Sequence, residues 1–412
     1  MKKKILGFIF AFTFIILCGF NAKAEGLQVT RLGGQDRYET NEKIVQQGWQ
    51  KSDYAIIVSG EGFADALSSA PLAKKYNAPI ILSCNIAIDP RYSNLYPSTI
   101  NELKRLEVKK VFIIGGTGVL SNAVESKIKD MGIDTERLCG ANRYSTSIAV
   151  ANKIGTSNGI ILTTGDNYTD ALSIAPIAGK LQMPIMLSQK DTLDSIQKKF
   201  VSNNTIPKAY ILGGTDIISD NVASKFSNVK RIATEYNKYD RNLDIATTFK
   251  NDMDFSNIIL ASGEGFADAL SGSALAALNG NPIILVGKGS NSYYITNLLA
   301  NNNTKNISVL GLQGSINDFT LNSIVNKTNA LNTVKSKIKI NSNLRFGIIN
   351  NYSYDGSTYY RIALYQYNEY AKMWITAYYQ YDFLVDTQTG DTYKIDNATN
   401  KISSLDITSI EF

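Results

Sequence analysis

Short apolar runs alternate with helical patterns along most of the chain. Ala55-Ile56-Ile57-Val58 is a continuous β-rich run, and Ser59-Gly60-Glu61-Gly62 is a turn. Phe63 to Lys75 then carries Ala and Leu at helical spacing, with Phe63, Leu67, Ala70 and Ala73 on one face. Pro79 opens Ile80-Ile81-Leu82, and Val111-Phe112-Ile113-Ile114 is a further apolar strand. Strands that lack polar alternation and are separated by helices predict a parallel sheet covered on both faces.

The same block recurs three times: VSGEGFADALSSAPLAKKYNAPIILS from Val58, TTGDNYTDALSIAPIAGKLQMPIMLS from Thr163, and ASGEGFADALSGSALAALNGNPIILV from Ala261. The interval from Asp65 to Pro79, Asp170 to Pro184 and Asp268 to Pro282 is 14 residues each time. An Arg-led segment precedes each block: RLGGQDRYET from Arg31, RLCGANRYST from Arg137 and RIATEYNKYDR from Arg231. An apolar run ending in glycine follows each, and Gly115, Gly213 and Gly311 stand 98 residues apart. That period is a small domain, not a thin solenoid. Three similar α/β domains are expected, at 25–130, 131–226 and 227–333.

In open α/β sheets ligands sit beyond the carboxyl ends of the strands, where loops lead into helix N-termini. Ser59 to Asp65, Thr163 to Asp170 and Ser262 to Asp268 are such places, and Gly60, Gly165 and Gly263 allow close backbone approach there. Helix N-termini favour phosphate or carboxylate. Asp65, Asp170 and Asp268 have two readings: a first-turn carboxylate that complements the helix dipole, or the partner of the basic residue in its own repeat. Those basic residues are Arg37, Arg143 and Lys238, each directly before Tyr38, Tyr144 or Tyr239. They are either solvated helix-start charges or anion ligands. A guanidinium grips phosphate in a two-pronged geometry that Lys cannot copy, so Lys238 marks a weaker or structural third site. Gly115-Gly116 and Gly213-Gly214 carry no nucleotide-binding pattern and are expected to be tight strand-to-helix turns, with no cofactor.

Composition narrows the chemistry. Lys2, Lys3 and Lys4 precede an uncharged run from Ile5 to Phe20, and Ala22-Lys23-Ala24 offers a small-x-small cleavage site. Residues 1–24 therefore read as a secretory signal peptide, with about 388 residues left after cleavage. Leu17 stands where a small residue would precede a lipidated Cys18, which argues against a lipoprotein. The run from Ile5 to Phe20 is too short to span a membrane, and no later segment comes close. Loss of the four leader lysines lowers the formal net charge from +6 to +2, which argues against a nucleic-acid binder. Cys84 and Cys139 are too few for a disulfide framework. There is no histidine, so Ser-His-Asp, Cys-His and His-ligated zinc mechanisms are excluded. Paired carboxylates are the remaining enzymatic option, that of a secreted carbohydrate-active enzyme. The recurrent pairs are Glu61 with Asp65, Asp166 with Asp170 and Glu264 with Asp268, whose spacing is that of helix-start residues.

The Arg-Leu-x-Gly-x-(Asn/Asp)-Arg-Tyr-x-Thr segment, the Phe-Ala-Asp-Ala-Leu segment and the Ile-Gly-Gly segment together resemble the clostridial cell-wall-binding repeat family, cell wall binding repeat 2. The resemblance covers roughly residues 27 to 330. The third copy departs from it, lacking the glycine of the first segment and carrying Leu312 for the second glycine of the last. The resemblance implies a pseudo-threefold assembly of three repeats. It also implies a non-covalent wall anchor that binds an anionic wall polysaccharide, such as a teichoic-acid-like polymer. Some proteins with these repeats have been called amidases. A zinc amidase of the usual kind needs His ligands that this chain lacks, so the repeats are expected to be non-enzymatic.

Beyond about Lys335 the repeat signals stop, and eleven of the 23 tyrosines fall between Tyr352 and Tyr393. Tyr359 to Tyr365, Trp374 to Tyr378 and Phe383 to Asp386 alternate as strands, and Asp386 to Asp391 forms a turn into Thr392 to Ile395. Residues 334–412 are thus expected to form a small β-rich or α+β domain, and the pattern from Val385 resembles the end of PepSY-like domains. Its aromatic residues either form core and cross-strand pairs or bind glycans or another surface protein by stacking.

Overall fold

The computed structural model describes residues 26–84, 95–235, 237–341, 343–368, 373–377 and 381–405. The signal peptide expected at 1–24, with Cys18, lies outside the described residues, as does Tyr378.

The alternating pattern becomes the same run of eight elements three times. The first is β1 (Gln28–Leu32), α1 (Arg37–Gly48), β2 (Tyr54–Ser59), α2 (Ser69–Tyr76), β3 (Ile80–Ser83), α3 (Pro97–Arg105), β4 (Lys110–Ile114) and α4 (Asn122–Asp130). The second is β5 (Asp134–Leu138), α5 (Arg143–Ile154), β6 (Ile160–Thr164), α6 (Thr169–Leu181), β7 (Ile185–Ser188), α7 (Ser195–Asn203), β8 (Ala209–Leu212) and α8 (Asp220–Ala223). The third is β9 (Val229–Ile232), α9 (Lys238–Thr248), β10 (Asn257–Ser262), α10 (Ala267–Asn279), β11 (Ile283–Val286), α11 (Ser292–Asn301), β12 (Asn306–Leu310) and α12 (Asp318–Lys337). In the first copy the helical pattern from Phe63 is broken: a 3₁₀ turn at Ala66–Ser68 precedes α2.

The sheets do not follow the repeats. Their strand orders are β3-β2-β4-β5, β7-β6-β8-β9 and β11-β10-β12-β1, all parallel. The strand that opens each repeat therefore completes the sheet of the repeat before it. β1 closes the ring on the third repeat, with Gln28 opposite Asn306 and Leu32 opposite Leu310. Such strands sit at a sheet edge and show it: β5 reads Asp-Thr-Glu-Arg-Leu with only Leu138 buried, while Ile56, Ile57 and Val58 in the interior are fully buried. Each of those interior side chains contributes about 1.5–3 kcal/mol by leaving water.

α2, α6 and α10 meet one another about the pseudo-threefold axis. They are rich in Ala, Ser and Gly and are buried on nearly every side, as a helix must be when it packs against a sheet and two other helices. A Cβ on Gly179 would stand 2.6 Å from the Ala277 Cβ, so the helices approach at small residues. One apolar core runs through all three repeats.

The C-terminal region is an antiparallel sheet of β13 (Leu344–Tyr354), β14 (Ser357–Asn368), β15 (Met373–Thr376), β16 (Tyr381–Asp386), β17 (Thr392–Asp396) and β18 (Ile402–Ser404). Its order is β13-β14-β16-β17-β18, with β15 on β14. Leu331 and Val334 of α12 pack beneath Phe346, Ile362 and Phe383, so one helix spans both the third repeat and the sheet's core. The turn expected at Asp386 is held by its own carboxylate, which accepts from the Gln388 and Thr389 N–H groups at 2.8 Å. Among the described residues no helix is long and apolar enough to cross a membrane.

Candidate functional site

The leading arginine of each Arg-led segment clamps the repeat before it. Arg31, Arg137 and Arg231 donate from Nη1 to the carbonyls of Gly311, Gly115 and Gly213 at 3.0, 2.8 and 3.0 Å. Each also pairs with a carboxylate at 3.0 Å, on Asp318, Glu125 and Asp220 respectively. The three glycines have φ of +83°, +109° and +89°, the left-handed region that a tight strand-to-helix turn needs.

The second basic residue opens a helix. Asp36, Asn142 and Asn237 are N-caps whose side chains accept from the first-turn N–H groups, which puts Arg37, Arg143 and Lys238 at the first helical position. A cation there opposes the helix dipole, and each is offset by a carbonyl in its own repeat. Arg37 donates to the Gly60 carbonyl, Arg143 to that of Gly165 at 2.5 Å, and Lys238 to that of Gly263 at 2.9 Å.

Tyr38, Tyr144 and Tyr239 follow at the next position, and their rings lie on these same glycines. A Cβ on Gly60, Gly165 or Gly263 would meet the ring at 2.7, 2.7 or 2.5 Å. These glycines were expected to admit a ligand; in the structure they seat a tyrosine. Each hydroxyl bonds a carboxylate, Tyr38 to Glu61, Tyr144 to Asp166 at 3.3 Å, and Tyr239 to Glu264. Burial and the acceptor carboxylate push the Tyr38 and Tyr239 hydroxyls well above their ordinary value. The Tyr239 bond holds Glu264 below its own.

The pairing of each Asp with the basic residue of its own repeat is not what forms. Because the opening strand of the next repeat lies in the same sheet, the helix that faces each Asp belongs to that next repeat. Asp65 faces Thr146 and Arg143 of the second repeat, both of which favour its ionised form. Asp170 pairs with Arg241 at 2.8 Å. Asp268 accepts from Ser315 at 2.8 Å and feels Arg37. The helix-start reading also falls short at Asp65, whose side chain makes no cap hydrogen bond. Burial raises all three carboxyls above the ordinary Asp value.

Three aromatic rings, of which only Phe63 stood out in the sequence, and then as a helix-face residue, stand together at the axis. Phe63, Tyr168 and Phe266 have centroids 5.3, 5.7 and 6.2 Å apart. Their signal was present, an aromatic residue two positions before Asp in every copy. The Arg37 guanidinium lies 5.6 Å from the Phe266 centroid, and that of Arg143 lies 6.0 Å from Phe63. An open cavity of about 990 Å³ borders Arg37, Arg143, Tyr168, Phe266, Glu264 and Asp268, at the junction of the third and first repeats.

The junction of the second and third repeats differs. Where the other copies have Thr40 and Thr146, the third has Arg241, which enters the interface and is 6% exposed against an Asp170 that is 1% exposed. Lys238 lies 3.8 Å from Glu264 in addition to its glycine carbonyl. Among the described residues no group of three or more His, Cys, Asp or Glu is arranged to hold a metal ion.

The chain matches the family described as Cell wall binding domain 2 (CWB2) at residues 31–125, 137–223 and 231–321. It is 30% identical over 298 residues to the N-acetylmuramoyl-L-alanine amidase LytC of Bacillus subtilis (strain 168), covering 72% of this chain and 58% of that protein. That likeness lies in the repeat region. It is 29% identical over 328 residues to an amidase enhancer of the same strain, covering 78% of this chain and 44% of that one. Among solved structures, Cwp6 from Clostridium difficile is similar with a TM-score of 0.66 and 26% identity, over 82% of this chain and 55% of that chain. Cwp8 from the same organism shares the fold, with a TM-score of 0.64 at 24% identity over 74% and 52%. The chain thus spans about half the length of these relatives. Its three tandem matches and their shared architecture establish that the chain belongs to the Cell wall binding domain 2 family.

Proposed function

We propose that the three repeats anchor a secreted protein to the wall, non-covalently, by binding an anionic secondary wall polymer, and that Arg37 and Arg143 are its principal contacts. The observation that carries this reading is the open cavity between the third and first repeats, which both arginines border above the aromatic rings of the axis. A guanidinium offers several N–H donors in one plane, so a nitrogen spent on a glycine carbonyl leaves the group able to meet a phosphodiester oxygen. Phe63, Tyr168 and Phe266 offer apolar faces on which the sugar rings of the polymer can rest. Local placement of this kind needs no basic surface field, in keeping with the small net charge. Lys238, engaged by Gly263 and Glu264, is the weaker contact.

In this reading residues 1–24 direct export, and the C-terminal sheet is the effector that meets another surface protein. The repeat carboxylates favour binding over hydrolysis: Glu61 is engaged by Tyr38, while Asp65 is buried beside Thr146 and Arg143. Retention on purified walls tests the proposal. The protein should bind untreated walls and fail to bind walls from which hydrofluoric acid has removed phosphodiester-linked polymers. Equal binding to both would assign the ligand to peptidoglycan or protein.

A further inference from the structure

A second cavity, of about 730 Å³, lies between α9 and α11 of the third repeat and β13 of the C-terminal sheet, and shares no lining residue with the first. Its volume is that of a small-molecule cleft. We propose that this groove binds an uncharged saccharide carrying hydroxyl and acetamido groups, independently of the polymer site.

The lining points to that class in three ways. Its charges nearly cancel, with Glu235, Asp240 and Asp244 against Lys250 and Arg345, so a polyanion gains nothing by entering. It is rich in planar amides, from Asn291, Asn297, Asn301 and Asn302; Asn291 and Asn297 spend their Oδ1 on backbone N–H groups, and their Nδ2 groups can donate to hydroxyl and acetamido oxygens. Finally, the groove presents tyrosine faces. Tyr294 is 57% exposed, and Tyr365 also lines the groove. An aromatic face with a hydroxyl at its rim suits the apolar face and polar edge of a sugar.

An extended peptide adding to β13 fits less well. The Ile348 N–H, which an added strand would need, already donates to the Asn297 Oδ1 at 3.3 Å.

Calorimetric titration of the full chain with chitotetraose and with cellotetraose tests the proposal. Chitotetraose should bind saturably and keep its affinity at about 0.5 M salt, because no net charge drives it. Tyr294→Ala should weaken it by about tenfold or more with an unchanged unfolding midpoint. Arg37→Ala/Arg143→Ala should leave it unaltered, which separates this site from the wall-polymer reading. Absence of saturable binding, or full affinity in Tyr294→Ala, overturns the site. Equal affinity for cellotetraose overturns the acetamido assignment.

Discussion

Arg241 donates from Nε to the Asp170 Oδ1 at 2.8 Å across the junction of the second and third repeats, with both side chains almost fully buried. Thr146 meets Asp65 at the corresponding place between the first and second repeats. One junction carries a buried ion pair; at its counterpart a threonine stands in the arginine's place. Removing one partner of a buried pair leaves the other charge without compensation. Arg241→Thr is therefore expected to destabilise the protein by about 3–5 kcal/mol in denaturant unfolding. Asp170→Asn/Arg241→Thr should recover much of that loss. Additive effects of the two substitutions would mean that the pair does not act as a unit.

The pH dependence at Asp65 follows from its burial, which raises its carboxyl above 3.8 in the folded protein. A raised folded value favours the neutral acid. Its contribution is fully present below the unfolded value and is lost as pH rises through the folded one. Asp65→Asn, which removes the buried charge at nearly equal size, should raise the unfolding midpoint at about pH 7 and lose that advantage on acidification below the ordinary Asp value. A gain independent of pH would show that charge burial is not the cause.

Gly179 tests the packing of the axis. Gly179→Ala pushes a methyl group to 2.6 Å from the Ala277 Cβ, and such overpacking costs about 1–3 kcal/mol. Gly62→Ala, which meets nothing within 4 Å, should stay within about 0.5 kcal/mol of the parent. Equal stability of the two variants in thermal unfolding would contradict close approach of α6 and α10.

Ring closure by β1 makes a prediction about local opening. Arg31→Ala removes the hydrogen bond to Gly311 and the contact with Asp318. Amide exchange should then quicken in residues 28–32 and 306–310 together, while residues 110–114 keep their protection. Faster exchange in the first repeat's sheet instead would place β1 with its own repeat.

The elements were legible because their signals are local. Ile80 to Leu82 and Val111 to Ile114 are apolar without interruption, and each became a strand of a parallel sheet. The exchange of opening strands was not, since Asp134 to Leu138 reads the same whichever sheet it joins. That one omission misdirected the pairing of Asp65, Asp170 and Asp268 with their own repeats, because a strand moved to the neighbouring sheet carries its helix and basic residue with it. The glycines at 60, 165 and 263 were visible, but their tyrosine occupants stand 21 to 24 residues earlier in sequence. Arg241 was passed over because it falls just outside the Asn-Lys-Tyr motif that drew attention to the third copy.

The most direct measurement of the anchor is titration of a purified phosphodiester wall polymer into the full chain, with Arg37→Ala/Arg143→Ala and Lys238→Ala alongside. Two charge-assisted contacts of about 1.5–3 kcal/mol each predict at least a hundredfold loss in the double variant, a small loss for Lys238→Ala, and weaker binding as salt rises. A double variant that unfolds at the parental midpoint and binds the polymer as tightly as the parent would contradict the assignment of Arg37 and Arg143 as the principal contacts.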